Sequence, residues 1–188
     1  MTNRVLLTAT ALCALFACGA QNNSNATAQS ETEPAPLVTE TKTLSANVLG
    51  NTGDTIGTAE FKQGPHGILI RVELGAGSLT PGWHGLHLHQ IGDCSDTGVY
   101  KLSGGHVGKV AGGHGLLNAD GPEGGDTPNI YAGADGSAAM EIITSRVTLA
   151  DLADEDGSAL IIHAGEDDHI SQPIGGAGAR VACAAIGN

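Results

Sequence analysis

Trp83-His84-Gly85-Leu86-His87-Leu88-His89-Gln90 is the stretch that decides how this chain folds. Leucine and histidine alternate from Leu86 to His89. On a strand, alternate side chains leave opposite faces, so His87 and His89 share one face and Leu86 and Leu88 the other. A leucine face seeks a core, whereas two imidazoles fixed on a rigid face form half of a metal site. His84 falls on the leucine face and is read as structural. Downstream come Gly104-Gly105-His106, Gly112-Gly113-His114 and Gly121-Pro122-Glu123-Gly124-Gly125-Asp126. Five of the eight histidines therefore lie between Trp83 and Asp126, separated by glycines rather than helix formers. Glycine lets the chain fold back on itself, so His106 and His114 can reach the point at which His87 and His89 aim. Taken singly, a histidine is more often a surface or core residue than a ligand. The H-x-H pair, the His106–His114 loop and a distant third element together favour a metal centre.

The chain has 188 residues, a single-domain length once its front end is removed. Its 29 glycines, 3% aromatic content and lack of a long amphipathic pattern favour short strands and turns. A net charge of -12, with only 8 Lys and Arg, excludes nucleic acid as a partner, because phosphate contacts need clustered cations. The same balance suits an anionic membrane surface poorly.

Residues 1–18 read as a signal peptide: Arg4 precedes an apolar run from Val5 to Ala17 that is too short to span a bilayer. Leu15-Phe16-Ala17-Cys18-Gly19 resembles the bacterial lipoprotein cleavage box, with Cys18 as the lipid-modified first residue and Phe16 atypical within it. Ordinary cleavage near Ala20 is the alternative. Either route exports the protein to the periplasm or cell envelope, and a lipid on Cys18 would be its only membrane attachment, to the outer membrane. Residues 19–38, rich in Asn, Ser, Gln, Thr, Glu and Pro, read as a disordered tether to a domain over 39–188. Cys13 leaves with the signal peptide and Cys18 is taken by lipid, so Cys94 and Cys183 remain as one pair in an oxidising compartment, where a disulfide is the default. The chain-entropy account values such a closure at about 4 to 5 kcal/mol at most.

Strands are expected over Thr43–Val48 and Thr55–Lys62, joined through Gly50–Asp54, and over Gly67–Leu74, where Ile68, Ile70, Val72 and Leu74 alternate with polar residues. Further strands are expected over Gly82–Gln90, Ala138–Thr144, Ala159–His163 and Ala179–Ile186, with a short helical turn at Leu149–Ala153. Ile91–Asn129 shows no strand pattern, and so long an irregular stretch inside a compact domain is expected to be functional. His163–Gly178 is a second irregular loop. These elements make an all-β, antiparallel sandwich or flattened barrel of about eight strands with two long functional loops.

Six motifs in order carry a family resemblance. They are Gly85–His89, Gly92-Asp93-Cys94, Gly104-Gly105-His106, Gly125–Asn129, Ile161–Asp167 and Gly175–Cys183. Over residues 40 to 188 the chain resembles the bacterial exported copper/zinc superoxide dismutases. The resemblance implies a Greek-key sandwich and two cofactors, copper and zinc. It places His87, His89, His106 and His163 as copper ligands, with His106 bridging to zinc, and His114 and Asp126 as further zinc ligands. Asp167 would hydrogen-bond one histidine of each metal, and Arg180 would guide the anionic substrate, superoxide. Where the family usually has a third zinc histidine, three residues before the aspartate, this chain has Glu123. That glutamate either ligates zinc through oxygen, weakens the site or points to solvent.

The implied reaction is superoxide dismutation to dioxygen and hydrogen peroxide. Two superoxides meet the copper in turn, with His106 handling a proton between them. Lys101, Lys109 and Arg180 would offset the acidic surface near the copper, while Glu166 and Asp168 oppose them. The rival from another class is a copper-binding envelope lipoprotein that stores or delivers metal, which would need neither Arg180 nor Asp167. Family members occur as monomers and dimers, so a homodimer is admitted.

Overall fold

The computed structural model describes residues 41–187, which fall within the unit Val38–Asn188. The signal peptide, Cys18 and the tether lie outside the described residues. Among these, nine strands follow in order: β1 Thr43–Gly50, β2 Thr55–Gly64, β3 Gly67–Leu74, β4 Gly82–His84, β5 Leu86–His89, β6 Ile130–Ala132, β7 Ala138–Thr144, β8 Ser158–His163 and β9 Arg180–Ile186. One helical turn, α1 Leu149–Leu152, sits between β7 and β8, closed by a capping box in which Thr148 and Asp151 exchange side chain and backbone bonds. The strands form one antiparallel sheet in the order β4-β6-β7-β3-β2-β1-β9-β8-β5.

The expected all-β architecture holds, with two refinements. Gly82–Gln90 is not one strand: it divides at Gly85, and its halves lie at opposite ends of the sheet order, β4 against β6 and β5 against β8. This division nearly closes the sheet into a barrel, because one continuous segment supplies both ends. Gly85 allows it by close approach, since a Cβ there would stand 2.8 Å from the Ala177 Cβ and 3.3 Å from the Asp167 Cβ. The other refinement is β6, a three-residue strand too short to show a period.

Burial follows the alternation. Ile68, Ile70, Val72 and Leu74 of β3 join Leu86, Leu88, Leu160 and Ile162 in the barrel interior. The pairing of β5 with β8 sets Leu86 against Ile162 and Leu88 against Leu160 inside, and His87 against Ile161 and His89 against Ala159 outside. β8 is buried along its whole length. Its outward residues Ala159 and Ile161 lie beneath Tyr100, Cys94 and Cys183. Burying Ile161 alone stabilises this covering by about 1.5–3 kcal/mol. The Cys94–Cys183 disulfide ties the loop after β5 to β9 across 89 residues. The functional loops therefore fold over the outer face of β5 and β8, the face that carries the imidazoles.

Candidate metal centre

β5 delivers His87 and His89, and the end of β8 delivers His163 beside a register irregularity after Ile162. One ring nitrogen from each lies within 4.8 Å of those of the other two. Hydrogen bonds assign which nitrogens these are. His89 Nδ1 meets the Gly104 carbonyl at 3.0 Å, His163 Nδ1 the Gly178 carbonyl at 3.0 Å, and His87 Nε2 the Asp167 carboxylate at 2.7 Å. A neutral imidazole that donates through one nitrogen keeps a lone pair on the other. Those others, His87 Nδ1, His89 Nε2 and His163 Nε2, are buried without a hydrogen-bond partner. Three converging, unpartnered lone pairs are the donor set that copper and zinc take, and each ring is oriented from behind.

Burial is also the main reason these rings stay neutral. It pushes His163 down to about 4 and His89 to about 2, with the neighbouring His87 adding to the first and Arg180 to the second. His87 is lowered too, chiefly by burial and against the pull of Asp167. No proton then competes for the lone pairs near neutral pH.

The loop from Gly104 to Asp126 builds a second cluster against the first, fastened to β5 through isolated bridges between His89 and His106 and between His87 and Asp126. His87, His106, His114 and Asp126 each place one donor atom within 4.8 Å of the others. The His106 ring lies 4.3 Å from that of His87 and 5.2 Å from those of His89 and His114, and both its nitrogens lack a hydrogen-bond partner. His114 Nδ1 is 2.8 Å from Asp126 Oδ1 and its Nε2 is 3.2 Å from Asp167 Oδ1. Asp167, almost fully buried between exposed Glu166 and Asp168, thus reaches one ring of each cluster. Burial alone would raise Asp126 and Asp167. Against this, the His106 ring with the Gly115 and Glu123 amides holds Asp126 well below the usual carboxylate range, and the His87 ring with the His169 amide does the same for Asp167.

Glu123 does not point to solvent: it is buried, with Oε2 2.8 Å from His106 Nδ1, although it falls outside the tightest donor set. His84 joins neither cluster, its ring lying between the Thr80 and His163 carbonyls. A cavity of about 250 Å³ reaches the first cluster at His89 and the second at His106, with Lys109, Glu123 and Arg180 also in its lining. Arg180 is held there through Nη1 to Tyr100 O and to Ser103 Oγ at 3.0 Å, and through Nη2 to Gly104 O at 2.8 Å. Lys101 is exposed and does not line the cavity.

Three supporting residues escape a reading of the sequence. Gln172 brackets the His114 backbone, accepting from its N–H at 3.2 Å and donating to its carbonyl at 2.8 Å. Asn129 does the same for Asp167 at 3.0 and 2.8 Å, and Arg146 donates to the Asp126 carbonyl. Each acts across 20 to 58 residues, so no local spacing announces it.

Comparison with known proteins agrees with this geometry. The family described as copper/zinc superoxide dismutase (SODC) matches residues 55–186. A superoxide dismutase [Cu-Zn] of Caulobacter vibrioides is 47% identical over 148 residues, covering 75% of this chain and 83% of that protein. Among solved structures, the Cu/Zn superoxide dismutase from Brucella abortus superposes with a TM-score of 0.63 at 28% identity, over 77% of this chain and 99% of that one. A SOD-like protein from Bacillus subtilis, solved as a double mutant, reaches 0.70 at 33% identity over 75% and 95%. Matched over most of its length, and with its imidazoles converging where the family motifs fall, the chain belongs to the copper/zinc superoxide dismutase family.

Proposed function

We infer that the chain dismutates superoxide, turning two superoxide ions and two protons into dioxygen and hydrogen peroxide. The observation that carries this reading is the convergence of unpartnered lone pairs from His87, His89 and His163, with His89 in the wall of a cavity that His106 and Arg180 also line. These three and His106 would hold copper; His106, His114 and Asp126 would hold zinc. Copper bound there would supply a one-electron couple for the exchange between two superoxides, and zinc would supply fixed positive charge.

The chain's own groups do the rest. Gly104, Gly178 and Asp167 fix the tautomers of the three rings, so the lone pairs point inward without rearrangement. Arg180 offers a permanent charge and a planar set of donors to a small anion in the cavity. Its remaining donors and Lys109 oppose the negative net charge locally. His106, whose two ring nitrogens make no hydrogen bond, lies between the clusters; it would be able to serve either metal and to hold a proton on a nitrogen left unbound. A storage protein would need neither Arg180 in the cavity nor Asp167 joining the two clusters.

The test is superoxide consumption by the full chain loaded with copper and zinc, beside His163→Ala. The wild type is expected to consume superoxide, and the variant to lose both copper and activity with its disulfide intact. A loaded wild type no faster than free buffer would refute the reading.

The same reading extends to place and assembly. The chain is exported and lipid-anchored at Cys18 through the 19–38 tether, a route supported by the Val5–Ala17 apolar run and by a disulfide that needs an oxidising compartment. Cys18→Ser is expected to move the protein from the membrane fraction to the soluble periplasm. A homodimer would cover the half-exposed Trp83 and Tyr131, whose rings stack edge to face with centroids 4.9 Å apart, and light scattering is expected to give twice the chain mass.

A further inference from the structure

Glu123 stands where the family resemblance leads one to expect an imidazole. Its surroundings separate its two oxygens into different jobs. Oε1 accepts the Val110 amide at 3.1 Å, while Oε2 sits 2.8 Å from His106 Nδ1. Asp126 is built the same way. Its Oδ2 accepts the Gly115 and Glu123 amides at 2.8 Å each, leaving Oδ1 3.1 Å from His106 Nδ1 and 2.8 Å from His114 Nδ1. Each carboxylate thus spends one oxygen on the backbone and turns the other toward the same imidazole nitrogen. That nitrogen is buried and makes a hydrogen bond to neither.

The charge balance points the same way. Glu123, Asp126 and Asp167 are all buried. Among the described residues their ion pairs are with histidines alone, none with lysine or arginine. Burying several carboxylates without strong cations is costly, and a divalent ion between the free oxygens removes that cost. Ligand chemistry then sets which ion. Imidazole nitrogen suits zinc and copper, whereas carboxylate oxygen suits harder ions such as manganese. We propose that Glu123 Oε2 is the fourth ligand of the second site, and that this two-imidazole, two-carboxylate set makes the site less selective for zinc over Mn(II) than a three-imidazole set would be.

This proposal rests on the two-metal reading above but not on turnover, so its test measures metal binding. Metal-stripped, disulfide-intact full chain is titrated with Co(II), followed by its visible absorption, and then with Zn(II) and Mn(II) in competition, reading bound metal by mass spectrometry. The wild type, Glu123→Gln and Glu123→His are compared. Glu123→Gln is expected to weaken zinc binding by at least the roughly 10–100-fold that losing even an outer partner costs, and to alter the Co(II) absorption. Glu123→His is expected to restore tight zinc binding and raise the zinc-to-manganese preference above that of the wild type. Wild-type zinc affinity and an unchanged Co(II) absorption in Glu123→Gln would overturn the ligand assignment. If that variant fails to fold, an unchanged zinc-to-manganese preference in Glu123→His overturns the proposal instead. A wild type that binds both metals as expected yet consumes no superoxide would sink only the dismutase reading.

Discussion

Asp167 Oδ2 lies 2.7 Å from His87 Nε2, on the side of the ring away from its unpartnered Nδ1. The other oxygen of the same carboxylate is 3.2 Å from His114 Nε2, so one buried acid orients a ring in each metal cluster. Asn at this position keeps the shape but can accept through only one atom, and its amide nitrogen would face a ring nitrogen that also donates. Asp167→Asn is expected to weaken copper or zinc binding by roughly 10–100-fold. Chelator competition measures this, and unchanged affinity for both metals would remove Asp167 from the centre.

Gly175 supplies an independent check on the same carboxylate. It has a φ of +62°, and a Cβ there would stand 1.6 Å from Asp167 Oδ1. Gly175→Ala must therefore displace Asp167 as well as strain the backbone, at a cost of order 1–3 kcal/mol. Its metal affinity is expected to fall like that of Asp167→Asn, and the double variant to lose much less than the two losses added together. Simple additivity would mean that the two substitutions act through different routes.

The metal-free protein should lose stability on acidification. His163 at about 4 and His89 at about 2 lie below the ordinary 6.5, so below pH 6.5 the unfolded chain binds protons that the folded one refuses. Stability from these rings is complete above pH 6.5 and falls as the pH drops toward 4, His163 alone accounting for on the order of 3 kcal/mol. Asp126 and Asp167, depressed as carboxylates, add a loss of the same sign below their ordinary 3.8. Urea midpoints of the metal-free chain are expected to decline steadily from pH 7 to pH 4. A level profile would contradict buried, neutral rings.

Arg180 should matter through its geometry as well as its charge. Its guanidinium bonds to Tyr100 O, Ser103 Oγ and Gly104 O, all in the loop that also carries His106. Lysine retains the charge but not the planar set of donors. Arg180→Lys is expected to keep copper content while lowering kcat/KM for superoxide, and Arg180→Ala to lower it further, by about tenfold or more at low salt. Pulse-radiolysis rates at two ionic strengths would show this; full activity in the alanine variant would exclude a guiding role.

Much of the centre is legible in the sequence because its residues sit in local patterns. The alternation of Leu86 to His89 places two rings on one strand face, and the glycine-spaced His106 and His114 mark the loop that returns to them. The Gly85 division is hidden, since a glycine inside an alternating run looks like one strand until Ala177 and Asp167 are found packed against it. The strand at Ile130–Ala132 escapes notice because three residues carry no usable period. Asn129, Arg146 and Gln172 are silent because each works through a side chain bonded to a distant backbone group.

The order of residues alone settled that this is a β protein with imidazoles gathered on one strand face, because strand periodicity is a property of neighbours along the chain. The nearly closed shape of the barrel, the tautomer of each ring and the burial of Glu123 against His106 were decided only in three dimensions. Those depend on which carbonyls, amides and carboxylates come to lie behind each side chain, and long-range packing alone determines that.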